Sequence, residues 1–194
     1  MKTILFTTIL VASLGASSAH ANEVFSETSV SSGLSGVSAE AAQNLSTCLH
    51  SNIETASSKA IRACSKAYKA SIPLYDIRSD ILTRRGLLQL SAGRFDKASR
   101  DFESAAKLNA DNEFANLGKG YAAIMQQDYA AAANYFKDCR DHKKAAPLAA
   151  YGMAMTKELT GDIKGALASY EQAAKMLPEW TAPRAELARI KQAS

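Results

Sequence analysis

Small and aromatic residues recur in this chain at a fixed step of 34 residues, and that recurrence constrains the fold more than any other feature. Gly86 and Gly120 stand one step apart. Ala98, Ala132 and Ala166 share the step, as do Phe102, Phe136 and Tyr170, and Ala105, Cys139 and Ala173. A period of this length marks stacked copies of one supersecondary unit, none of which buries its apolar face alone. Three copies align as 79–112, 113–146 and 147–180. Each carries a small residue in a first segment, then Ala-x-x-x-aromatic-x-x-small in a second. From about Ala39 onward, apolar residues are spaced three and four apart, which is the pattern of amphipathic helices. No run alternates apolar and polar residues with β-branched enrichment, and no Asn-Gly or Asp-Gly turn occurs, so strands are not expected.

Packing explains the residue types. Gly86, Gly120 and Ala154 remove bulk where a first helix crosses its second, and Ala98, Ala132 and Ala166 do the same from the other side. Phe102, Phe136 and Tyr170 are placed to fill the gaps between successive hairpins. Gly93 and Gly161 stand where the first helix must end in a left-handed residue, the conformation that glycine adopts at least cost. Asp96, Asp128 and Asp162 fall near the starts of the second helices, where a carboxylate caps exposed amides or complements the helix dipole.

This ordered set of small, aromatic and helix-ending positions, closed in the last copy by Pro178, resembles the tetratricopeptide repeat. The resemblance implies an all-α fold, a right-handed superhelical solenoid of antiparallel helix pairs. The sequence departs from the family pattern at two slots of the first helix: an early aromatic is replaced by Leu82, Asn116 or Ala150, and a later Tyr by Gln89, Ala123 or Lys157. Residues 39–78 read as a degenerate N-terminal hairpin. There Ala60-Ile-Arg-Ala-Cys64-x-x-Ala67 has the shape of a second helix with Cys64 in the aromatic slot. An extended turn through Ser71, Pro73 and Leu74 absorbs the extra length before the first full repeat. Residues 181–194, with Leu187 and Ile190 set among Arg184, Glu186, Arg189 and Lys191, read as a capping helix with a single apolar stripe.

The N-terminus points to export. Lys2, the apolar run Ile4 to Leu14 and the Ala19-His20-Ala21 site have the order of a secretory signal peptide, with cleavage expected after Ala21 and a periplasmic or secreted product. Residues 22–38, rich in Ser and Gly, read as a flexible lead. No integral membrane segment is expected in the mature chain. In an oxidising compartment Cys48 and Cys64, near the ends of adjacent helical segments, are the natural pair to close, burial as small apolar side chains being the other reading. The resemblance to exported proteobacterial tetratricopeptide proteins, in which an early Cys precedes an Ala-Ile-x-x-Cys helix, favours the bridge. Cys139 is left over.

Chemistry is sparse. Lys and Arg number 23 against 19 Asp and Glu, scattered singly rather than in a stripe, so no nucleic acid partner is indicated. Beyond the expected cleavage site there are two histidines, His50 and His142, neither in a catalytic motif. Cys139-x-x-His142 is the nearest approach to a metal pair, but Cys139 occupies the small-residue packing slot of its repeat. No catalytic residue, metal or cofactor is expected; a cysteine- or metal-dependent activity at Cys139 and His142 is the competing reading. The expected function is a non-enzymatic scaffold or adaptor that binds a protein or peptide, with self-association into a homodimer as the structural alternative. The resemblance places partner contacts on the concave face of the first helices, at Leu87, Phe114, Leu117, Tyr121, Tyr151 and Met155. It implies an apolar, aromatic groove suited to an amphipathic helix or an extended peptide.

Overall fold

The computed structural model describes residues 38–53, 56–70 and 75–193. The expected signal peptide, all but the last residue of the Ser-rich lead and the extended turn at Ser71, Pro73 and Leu74 lie outside the described residues. Among the described residues the chain forms nine α-helices and no strand: α1 Ala39–Leu49, α2 Ser58–Ala70, α3 Tyr75–Ser91, α4 Phe95–Leu108, α5 Glu113–Met125, α6 Tyr129–Asp138, α7 Ala146–Leu159, α8 Ile163–Met176 and α9 Ala182–Ala193. None is long and apolar enough to cross a membrane. The chain divides into two compact units between Ala115 and Asn116. Neighbouring helices pack in pairs, α1 with α2 and α3 with α4 in the first unit, and α7 with α8 in the second, where α9 adds to α8.

The turns within the hairpins repeat at the same step as the sequence. The first helices of the three aligned copies, α3, α5 and α7, each end on a residue with positive φ: Gly93 at 71°, Gln127 at 63° and Gly161 at 86°. After each, an amide reaches back five residues to close the last turn, Arg94 to the Gln89 carbonyl at 2.8 Å, Asp128 to Ala123 at 2.9 Å and Asp162 to Lys157 at 2.9 Å. The second helices then start on caps. Asp128 accepts from the Ala131 amide at 3.0 Å and Asp162 from the Gly165 amide at 2.9 Å. Arg94 makes no side-chain cap, so α4 has only the carboxylate of Asp96 in its first turn.

Phe102, Phe136 and Tyr170 are all buried. A Cβ on Gly86 would lie 2.6 Å from Cε1 of Phe102, and one on Gly120 would lie 2.5 Å from Cε1 of Phe136. Gly152 of α7, which the repeat pattern does not single out, faces the same Phe136 ring, so that one aromatic is held between two bare backbones. Burying each such ring contributes about 2–3 kcal/mol.

In the first unit α1 and α2 are joined by the Cys48–Cys64 disulfide, with Cα atoms 4.7 Å apart. Arg84 of α3 is buried and donates to the Ser51 carbonyl just beyond α1; burial lowers its guanidinium pKa to about 10. A polar seam ties α3 to the end of α4. Ser79 donates to the Ala105 carbonyl at 2.9 Å, and the Asn112 amide donates to Ser79 at 2.8 Å and to Thr83 at 3.1 Å. Buried hydroxyls and amides placed in this way meet their hydrogen-bonding needs within the unit. In the second unit Arg189 of α9 donates to Glu186 and Glu158, each at 2.6 Å.

Candidate interaction sites

The six residues expected to line an open groove are not open. Leu87 is buried in the first unit. Phe114, also of the first unit, is half-buried; in the second, Leu117, Tyr121, Tyr151 and Met155 are all buried. The Tyr121 hydroxyl donates to the Leu148 carbonyl at 2.8 Å, and its ring meets Phe136 edge-on at 5.1 Å. Tyr151 packs edge-on against Tyr170 at 5.2 Å and tilted against Trp180 at 4.8 Å. Burial pushes the Tyr121 phenol well above its ordinary pKa. Tyr121 of α5 thus packs on α6 and reaches α7, and Tyr151 of α7 packs on α8 and Trp180, so both rings fill space between helices of the second unit.

Cys139, at the end of α6, is wholly buried and outside the disulfide, while His142 is half-buried in the following turn. Among the described residues no group of three or more His, Cys, Asp or Glu side chains is arranged to hold a metal ion.

Accessible space lies elsewhere. In the second unit a cleft of about 410 Å³ opens between α6, α7 and α8. Its apolar lining includes Phe136, Ala149, Ala150, Met153 and Met176. Lys137, Arg140 and Lys157 line it as well, and no Asp or Glu does. Lys157 Nζ donates to the Ser169 hydroxyl at 3.0 Å. Lys137 and Arg140 are exposed. A second cleft of about 460 Å³ continues along α8, sharing Gln172 and the exposed Met176 with the first. Clefts of this size match those that hold ligands, about 300–1,000 Å³.

The first unit has a cleft of about 460 Å³ between α2, α3 and α4, and its chemistry differs. Asp101 sits at its centre. Arg85 donates to both of its carboxylate oxygens, at 2.8 and 2.6 Å, and the Gln89 amide donates to it as well. Arg85 also donates to the Ser65 hydroxyl at 3.1 Å. The hydrogen bonds to Asp101 hold the Arg85 guanidinium pKa above its ordinary value. Arg85 therefore has its anion already, while Arg94, Lys97 and Arg100 line the same cleft.

The repeat spacing does not reveal these clefts, because most of the residues that line them, the wedge Phe136 aside, lie between the recurring small and aromatic positions. One signal was available: Gln89 and Lys157, the departures at the later Tyr slot, line the two clefts. No family model matches the chain, and no curated protein matches it.

Proposed function

We propose that this protein is a non-enzymatic interaction scaffold of the tetratricopeptide type that works in the periplasm or cell envelope by holding a segment of another protein. On this reading its helix pairs continue into a right-handed superhelix, with α9 as the terminal cap. The observation that carries the reading is the recurrence, at one 34-residue step, of the same left-handed helix ending and the same glycine-against-ring contact. Independent units have no reason to share both devices at one spacing, whereas stacked copies of one hairpin require them. The Cys48–Cys64 bridge fits an oxidising compartment.

Cell fractionation of the tagged full chain tests export, and affinity capture from envelope extracts tests partner binding. Recovery in the cytoplasm with intact N-terminal residues, or capture of no protein above background, would refute the reading. A dimer in light scattering across a range of concentrations would favour self-association as its purpose.

A further inference from the structure

The clefts of the two units stand at equivalent places in the repeat. Arg85, Gln89 and Asp101 in the first are each 68 residues, two steps, ahead of Met153, Lys157 and Ser169 in the second. In the first unit the central position is a carboxylate that neutralises the cation beside it. In the second unit that position is the hydroxyl of Ser169, and Lys157 donates to this neutral oxygen in place of a carboxylate. Lys137 and Arg140 add two cations along the same cleft. Where the first cleft is lined by Arg85 and its carboxylate partner, the second is lined by Met153 and alanines.

Resting on the scaffold reading, we propose that the cleft between α6, α7 and α8 docks an acidic amphipathic segment of a partner protein, one of whose carboxylates takes beside Lys157 the place that Asp101 fills in the first unit. Charge complementarity specifies the guest. Three cations with no lining carboxylate select Asp and Glu, while the apolar lining at Phe136, Ala149 and Met153 takes a large apolar side chain between them. The continuation of the cleft past Gln172 and Met176, where Glu171 and Lys175 both line it, gives room for a less acidic end of the segment. A small amphiphile with a single carboxylate would leave two of the three cations unmatched.

The test uses the full chain and a fluorescein-labelled peptide with Phe and Leu at helical spacing between Glu residues, compared with the same peptide carrying Lys for Glu. Fluorescence anisotropy should show binding of the acidic peptide alone, weakening as salt is raised. The exposed pair Lys137→Glu with Arg140→Glu should weaken it by roughly tenfold or more. Ser169→Asp supplies an internal carboxylate to Lys157 and should weaken binding by a similar factor; Trp180 fluorescence checks that the second unit stays folded. If Ser169→Asp fails to fold, the exposed pair still decides the matter. Equal binding of both peptides, or binding indifferent to the exposed pair, overturns the proposal. So does a dimer of the protein that the exposed pair dissociates, since a second copy would then occupy the cleft. Extracts separate this inference from the reading beneath it: partners recovered equally by parent and exposed-pair variant leave the scaffold standing and remove the cleft, whereas no partner for the parent removes the scaffold itself.

Discussion

Gly152 of α7 lies so close to the ring of Phe136 of α6 that a methyl group there would fall 2.5 Å from Cε1. Phe136 is 2 % exposed and meets Gly120 as well, so a methyl group at Gly152 would have to displace a packed ring. Gly152→Ala should therefore destabilise the second unit by about 1–3 kcal/mol, even though alanine is the better helix former by about 1 kcal/mol. Urea unfolding followed through Trp180, the chain's single tryptophan, reads that unit. A gain in stability would show that the ring can move aside.

Gln127 occupies, at φ 63°, the helix-ending position that Gly93 and Gly161 hold in the other two hairpins. A side chain in the left-handed region costs about 1 kcal/mol, so Gln127→Gly should stabilise the protein by about 0.5–1 kcal/mol and Gly161→Ala should destabilise it by a similar amount. Thermal melts of the two variants should shift in opposite directions; a shared direction would mean that turn strain does not set the stability here.

Asp80 carries a carboxyl pKa pushed up to about 6, first by burial and then by the nearby charge of Asp76. Because the folded state holds this proton more tightly than the unfolded state, its cost is absent below the unfolded pKa of 3.8 and complete above about 6. Stability should accordingly fall as pH rises through that window, by at most about 3 kcal/mol from this group. Asp80→Asn should flatten the slope. Urea midpoints by circular dichroism at both ends of the window, parent against variant, measure it; parallel profiles would exclude Asp80 as the source.

The Cys48–Cys64 bridge closes a sequence separation of 16 residues. Its loss in a Cys48→Ala, Cys64→Ala variant should destabilise the first unit by about 2–4 kcal/mol, with the unfolding of the second unit reported by Trp180 changed far less. Equal loss in both signals would mean that the units unfold as one.

Tyr121 fills space and places a hydroxyl on the Leu148 carbonyl. Tyr121→Phe should cost about 0.5–1.5 kcal/mol, and Tyr121→Ala about 3–5 kcal/mol. Any loss of partner binding in the alanine variant should track its loss of fold, which chemical denaturation and binding measured together will show.

Repetition made the helix pairs, the wedges and two of the three left-handed endings legible, because each depends on the size or chirality of a single residue at a fixed step. The Cys48–Cys64 pairing was legible as a link between adjacent helical segments, although Cys64 stands in the middle of α2 rather than near its end. The groove was not. Whether a ring such as Tyr151 faces a guest or a neighbouring helix depends on how closely helices approach, and that distance is set by alanines whose effect appears only on packing. The cleft was hidden because its lining comes from three helices, and because the exchange of Asp101 for Ser169 becomes meaningful only once their neighbours Gln89 and Lys157 are seen to reach them.

A ring rooted in α6 and lodged against Gly120 of α5 and Gly152 of α7 belongs to neither hairpin by itself. Cutting the chain between α6 and α7 would strand that ring half in solvent, so the second unit has no internal seam along which a truncated version could be expected to survive.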